Sequence, residues 1–207
     1  MEAGASGSDW IWAVSQTAGV GRRGRAWASR EGDLACTLVT PAPENKEESG
    51  QLAFVAALAA HDAISAFVAE EKVALKWPND VLIEGAKAAG LLLELWGGKD
   101  GRAMLGVGIG INIVSRPEDT PYPATRLLDH VATGRGDALG SAACLGALMK
   151  AWDRRRQVWD QGGFEPIRAD WLARAWGLGG EIRVRTPSSE LSGRFEGLDE
   201  VGRLLLT

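Results

Sequence analysis

From Gln16 to Ser29 the chain reads Gln-Thr-Ala-Gly-Val-Gly-Arg-Arg-Gly-Arg-Ala-Trp-Ala-Ser, with Gly19, Gly21, Gly24, Arg22, Arg23 and Arg25 packed into seven residues. Glycine lets a backbone turn sharply and approach a ligand. Arginine adds a permanent charge and a planar fork of donors that matches phosphate. Together they describe a loop that closes over an anionic ligand. The glycines also satisfy the dinucleotide pattern G-x-G-x-x-G. That pattern must open a helix, and Arg25 to Asp33 carries no apolar helical face. A merely solvated basic turn is the plainer alternative. A nucleic-acid loop fits poorly with a chain whose formal net charge is -4.

A second cluster lies in Leu75-Lys-Trp-Pro-Asn-Asp-Val-Leu-Ile83, followed by Lys87-Ala-Ala-Gly-Leu-Leu-Leu-Glu94. Pro78-Asn79-Asp80 is a turn signal between two β-prone runs, and Glu84-Gly85-Ala86 marks the next turn. Turns so placed carry Lys76, Asn79, Asp80 and Lys87 to one end of a sheet. Read alone, this is a hairpin with ordinary surface charges.

The elements that must position these groups follow from periodicity. Strands are expected at Trp10–Gln16, Leu34–Thr40, Val73–Trp77, Val81–Ile83, Ala88–Trp96 and Ala103–Ile113, with a Gly97–Gly101 turn before the last. Leu52, Val55, Ala56, Ala59, Ile64 and Phe67 recur at helical spacing and predict a helix over Gly50–Glu71. Further helices are expected at Leu139–Trp159 and Phe164–Trp176. After Gly180 short strands follow at Glu181–Arg185, Leu191–Phe195 and Arg203–Leu206.

Composition narrows the class. A chain of 207 residues with 45% hydrophobic content can bury one substantial core and carry a small appendage. Cys36 and Cys144 form no C-x-x-C pair, which points to a reducing, cytoplasmic setting without disulfides. With only His61 and His130 to help, no metal site made of protein groups is expected. No basic-then-apolar leader opens the chain, and its longest apolar stretch, Leu52–Ala60, is too short to cross a bilayer.

Taken together, the segments resemble the catalytic domain of biotin protein ligases. The family's G-R-G-R-x-G-R loop with a following Trp stands here as Gly19-Val-Gly-Arg-Arg-Gly-Arg25-Ala-Trp27. Its K-W-P-N-D signature stands as Lys76–Asp80, its K-x-x-G-I-L-x-E as Lys87–Glu94, and its G-x-G-I-N strand end as Gly108–Asn112. The resemblance implies an α+β fold of the class II aminoacyl-tRNA synthetase/biotin ligase type: a mixed sheet with packed helices over 1–177, then a small, incomplete SH3-like β-barrel over 178–207. Val20 departs from the family, which carries an arginine there. The family's Ser-Thr-Asn segment is not found in Met1–Asp9, and the barrel stops at Thr207, so a catalytic domain shortened at both ends is expected.

The implied reaction is ATP-dependent. Biotin's carboxylate attacks the α-phosphorus of ATP, pyrophosphate leaves, and a lysine amine of a biotin carboxyl carrier domain then attacks biotinyl-5′-AMP. ATP with Mg²⁺ as co-substrates and biotin as substrate are implied, with no permanently bound cofactor. By matching position, Lys87, Arg22 and Asp80 are the expected catalytic residues, although Asp80 reads equally as a turn cap. Gln16, Val20, Gly21, Arg22, Lys87, Gly90 and Gly108 are expected around biotin, in a largely apolar cleft. Arg22, Arg25, Trp27, Lys76, Asn79 and Asn112 are expected around the nucleotide, Asn112 reading equally as a strand-end cap. The acceptor is the carrier domain of an acetyl-CoA-carboxylase type enzyme; a homodimer is left open, and neither DNA nor membrane is expected as partner. Two alternatives stand beside this: a catalytically impaired relative that only binds biotin or its adenylate, and a lipoate–protein ligase, whose Arg-Arg-x-x-Gly-Gly-Gly loop is not present.

Overall fold

The computed structural model describes residues 8–97, 102–118, 120–131, 138–185 and 189–207. Strands β1 (Asp9–Ala13), β2 (Leu34–Pro41), β3 (Val73–Lys76), β4 (Asp80–Ile83), β5 (Ala86–Gly97) and β6 (Ala103–Ile111) form one sheet in the order β1-β2-β6-β5-β4-β3, antiparallel at every pairing, where a mixed sheet is expected. Alternation sorts its faces. Leu34, Cys36, Leu38, Leu91, Leu105, Val107, Ile109 and Ile111 point into a core shared with helices α1 (Lys46–Ser65) and α2 (Ser141–Gly162). The opposite face carries the glycines Gly90, Gly106, Gly108 and Gly110 in register with Asp80, Thr37 and Leu92.

Helix α1 begins four residues before the expected Gly50. Asn45 caps it, its side-chain oxygen accepting from the Glu47 amide at 2.9 Å, and Glu47 and Glu48 suit the positive end of the helix. Apolar periodicity starts only at Leu52, so the pattern marked the buried face and not the cap. The helix also stops at Ser65, short of Glu71; the Phe67 and Val68 amides both turn back to the Ile64 carbonyl. Helix α3 (Phe164–Leu172) is likewise shorter than expected. Gly163, at φ 67°, joins α2 to α3 in a conformation that favours glycine.

One arginine ties the three helices together. Arg155 makes two bonds to Asp62 of α1, at 2.9 and 3.0 Å, and a third to Asp170 of α3. Burial opposes ionisation of Asp62, but hydrogen bonds and charge from His61 and Arg155 outweigh it and pull its carboxyl down to about 2. His61 lies 3.6 Å from that carboxylate, beyond a normal hydrogen bond, so Arg155 carries the effect.

The small C-terminal β unit is a three-stranded antiparallel sheet, β7 (Glu181–Arg185), β8 (Glu190–Leu198) and β9 (Leu204–Leu206). Phe195 and Leu198 bury into the main core, and Trp77 donates to the Gly202 carbonyl at 3.3 Å. The expected Gly97–Gly101 turn falls, from 98 on, outside the described residues. Among the described residues no helix is long and apolar enough to cross a membrane.

Candidate active site

The site is a row of residues running across the open face of the sheet. Ala35, Gly110, Gly90, Asp80 and Lys76 are successive cross-strand partners from β2 to β3. The two central glycines lower the floor, and the Trp27 indole lies in the space they leave. A Cβ at Gly110 would fall 2.3 Å from that ring, and one at Gly90 3.0 Å from it. Gly108, one step along β6, stays uncovered; its nearest neighbours are Leu92 and Thr37.

Lys87 enters this row through a β-bulge. Pairing slips between Val81 and Leu82, so that Val81 faces Ala89 while Leu82 faces Lys87. A bulge re-aims the side chain beside it. The Lys87 amide donates to the Pro123 carbonyl at 2.8 Å, and its own carbonyl accepts from the Thr125 amide at 2.9 Å. Its ammonium meets Asp80 at 2.6 Å and lies 5.5 Å from the Trp27 ring centre and 5.6 Å from that of Tyr122. Both charged groups are largely shielded, at 16% and 23% exposure, so this pair acts in a lower dielectric than a surface ion pair.

The Arg-rich loop folds as a small hairpin above the row. Val20 and Ala26 form a bridge, and the Trp27 amide reaches the Gly19 carbonyl at 2.8 Å. Gly19 is irreplaceable there, since a Cβ would sit 2.5 Å from the Trp27 carbonyl oxygen. Arg22 donates to the Asn79 side-chain oxygen at 3.3 Å, and Asn79 is itself fixed to β5 through the Leu91 carbonyl and amide. Burial, then the neighbouring Arg23, loosens the Arg22 proton, and Asp80 opposes them. Arg23 adopts φ 61° and reaches the Arg185 carbonyl of β7 at 2.7 Å.

These parts enclose a cavity of about 600 Å³. Gln16, Val20, Gly21, Arg22, Arg25, Trp27, Lys76, Asn79, Asp80, Lys87, Gly90 and Gly108 all line it. Asn112 does not. It is 3% exposed, and its side-chain amide donates to the Thr125 carbonyl at 3.0 Å and towards that of Lys87 at 3.5 Å. The wall is also more charged than the largely apolar cleft expected. Among the described residues, Arg22, Arg23, Arg25, Lys76, Lys87, Arg183 and Arg185 face Asp80 and Glu94, seven cations against two anions in an acidic chain. Such a concave excess of one sign attracts a polyanion.

Several lining residues escaped the sequence reading. Arg183 and Arg185 alternate on β7 and so share a face, but their approach to residues 22–25 is long-range. Tyr122, the sole tyrosine, stands between Pro121 and Pro123, a visible but unspecific signal. Asp33 was missed as a buried anchor. One of its oxygens accepts from the amides of Ile113, Val114 and Ser115 at 2.9 to 3.0 Å, and the other from the Ser115 hydroxyl and the Arg30 amide. This fixes the end of β6 beside β2.

Residues 5–112, just over half of the chain, match the model of the biotin/lipoate A/B protein ligase family. The chain belongs to this family. A relative in Paracoccus denitrificans, a biotin–[acetyl-CoA-carboxylase] ligase, is 42% identical over 98% of this chain and 85% of its own length. The bifunctional ligase/repressor BirA of Bacillus subtilis is 32% identical over 95% of the chain, which spans 60% of that longer protein. Among solved structures, the biotin protein ligase of Aquifex aeolicus in complex with biotin and ATP superposes with a TM-score of 0.76 at 28% identity, over 95% of this chain and 81% of that one. The mixed α+β architecture is therefore that of the biotin protein ligases within the family.

Proposed function

We propose that this protein joins biotin to a lysine of a biotin carboxyl carrier domain, through biotinyl-5′-AMP made from ATP. The observation that carries the reading is the convergence of Lys87, paired to Asp80, with Arg22, held by Asn79, on one glycine-floored cavity. The relatives' activities agree with it. In this reading Lys87 lies against the biotin carboxylate and α-phosphate, where negative charge grows as the carboxylate oxygen attacks phosphorus and pyrophosphate leaves. A positioned cation stabilises that charge more in the transition state than before it. Asp80 orients Lys87. Arg22 and Arg25 retain the adenylate, Lys76 and Asn79 meet the nucleotide beside Trp27, and Gln16, Val20, Gly21, Gly90 and Gly108 border biotin.

Asn112 acts in this proposal through the backbone of Lys87 and Thr125, since both of its amide bonds go there. In the second step the acceptor amine attacks the mixed anhydride, the amide bond forms and AMP leaves. Mg²⁺ would arrive on the phosphates of ATP, whose charge it shields. Residues 1–177 form the catalytic unit and 178–207 an accessory sheet. The two free, buried thiols suit a cytoplasmic setting.

The test is to incubate the protein with biotin, ATP and Mg²⁺ and to look for biotinyl-adenylate and pyrophosphate by mass spectrometry, with lipoate in a parallel reaction. Product with biotin supports the assignment. Pyrophosphate with lipoate alone would transfer it to lipoate. Tight biotin binding without pyrophosphate would favour a binding-only relative, which the assembled Lys87–Asp80 pair argues against.

A further inference from the structure

Lys87 is held by its backbone as well as by Asp80, and both flanks of that backbone lead to His130. On one side, the loop that receives the Lys87 amide and carbonyl ends at Thr125, whose hydroxyl lies 2.8 Å from His130 Nε2. On the other, Glu84 sits in the turn that launches β5, three residues before Lys87, and its carboxylate lies 3.2 Å from His130 Nδ1. Glu84 is itself fixed by Lys72 at 3.1 Å, and its amide donates to the Lys72 carbonyl. Its carboxyl is held below the usual carboxylate range, first by the Lys72 hydrogen bond and charge and then by His130. It therefore accepts and does not donate.

That sets the tautomer. Nδ1 must carry the proton given to Glu84, so in the neutral ring Nε2 accepts from the Thr125 hydroxyl. The platform beneath is firm. Leu127 is fully buried, the Leu127 and Leu128 amides donate to the carbonyls of Asn112 and Ile113, and the His130 amide closes the turn onto Leu127. The ring is thus a two-ended clasp across the flanks of Lys87, and no part of it belongs to the cavity wall.

We infer that His130 is a positioning residue for Lys87, clasping Glu84 on the turn before it to Thr125 on the loop bonded to it, so that the ammonium stands over Gly90 at the reacting phosphate. The inference rests on the biotin-ligase reading for its rates alone. Because the clasp acts on a group used in the transition state, its loss should lower kcat and spare binding.

The test uses the full chain, four single variants of the clasp, and Lys87→Ala with and without His130→Ala. His130→Ala and Thr125→Val should lower kcat for pyrophosphate formation by about tenfold, with KM for biotin and ATP within about twofold, as for a displaced catalytic group. His130→Gln, whose amide can still reach Thr125, should recover most of the loss, while His130→Asn should not. In a Lys87→Ala background His130→Ala should cost nothing more, because its target is gone. Amide hydrogen exchange supplies a readout independent of turnover. The Lys87 and Thr125 amides should exchange about tenfold faster in His130→Ala, with that of Ile109 unchanged. Wild-type kcat in His130→Ala, an undiminished loss in the Lys87→Ala background, or unaltered exchange at Lys87 and Thr125 would each overturn the inference. A wild type that makes no pyrophosphate would sink the ligase reading and leave the exchange result to decide the clasp.

Discussion

Two of the regions that supply cations to the cavity are held in opposite ways. Lys87 stands on a strand, with amide, carbonyl and ammonium each engaged and a buried neighbour, Asn112, reinforcing its carbonyl. The arginines of residues 22–25 stand on a loop whose side-chain ties are few and exposed: Arg22 to Asn79 at 3.3 Å and Arg23 to one carbonyl of β7. A group needed at one point in a reaction gains from such fixation, because little reorganisation is left for the moment of transfer. A group that admits a substrate and then keeps it must let go and return. In the proposed function, chemistry and retention would thus be divided between a firmly held and a lightly tied element of one cavity.

The largest test of this division is Lys87→Ala. Loss of the strand-borne cation should slow adenylate formation by on the order of 10²-fold, as for removal of one oxyanion donor. Folding should survive, which a thermal melt would check. Turnover near that of the wild type would remove Lys87 from the reaction and erase the contrast.

Loop substitutions should act on retention and not on formation. Arg22→Gly is expected to speed release of the adenylate about tenfold, the usual worth of a charged hydrogen bond. Val20→Arg, which adds a cation to the same hairpin, should slow it. Equal dissociation rates in the wild type and both variants, measured by chasing labelled adenylate, would mean that the loop is no lid.

Gly110→Ala probes where the two regions meet. Its methyl group would strike the Trp27 ring and lift the loop from the floor without touching Lys87. KM for biotin or ATP should rise several-fold while kcat changes little, since binding shared by ground and transition states is what is lost. A fall in kcat alone would show that floor and lysine are one unit.

The smallest expected effect lies away from both. The Asp62 carboxyl, pulled down to about 2 from 3.8, contributes stability that is full above pH 4 and lost as pH falls through its folded value. Partial exposure limits this to on the order of 1 kcal/mol. Acid denaturation followed by circular dichroism should show a shallower limb between pH 4 and 2 in Arg155→Ala, with the site cations unaffected.

The sequence made much of this legible because the key spacings are local. Lys76, Asp80 and Gly90 fall in one row since a period of two and a tight Pro78-Asn79-Asp80 turn allow little else. The start of α1 was misread because an asparagine cap leaves no apolar trace. Asn112 was legible as a motif position, yet its orientation depends on Thr125, in a loop whose path no periodicity describes. Asp33, Arg183 and Arg185 reach their places through contacts far apart in the chain, so neighbouring residues carried no sign of them.

The bond from Arg23 to the Arg185 carbonyl spans 162 positions of sequence and moors the loop to the C-terminal sheet. Arg185 is in turn paired with Glu190 of β8 at 2.9 Å. The hold on the loop is therefore set partly by a segment outside the six-stranded sheet. If the loop retains the adenylate as proposed, substitutions on β7 and β8 would retune how long it is kept while every group in the row from Ala35 to Lys76 stays as it is. Residence time and rate of synthesis would then be separately adjustable traits, and a graft of the C-terminal sheet from a relative would transplant the first without the second.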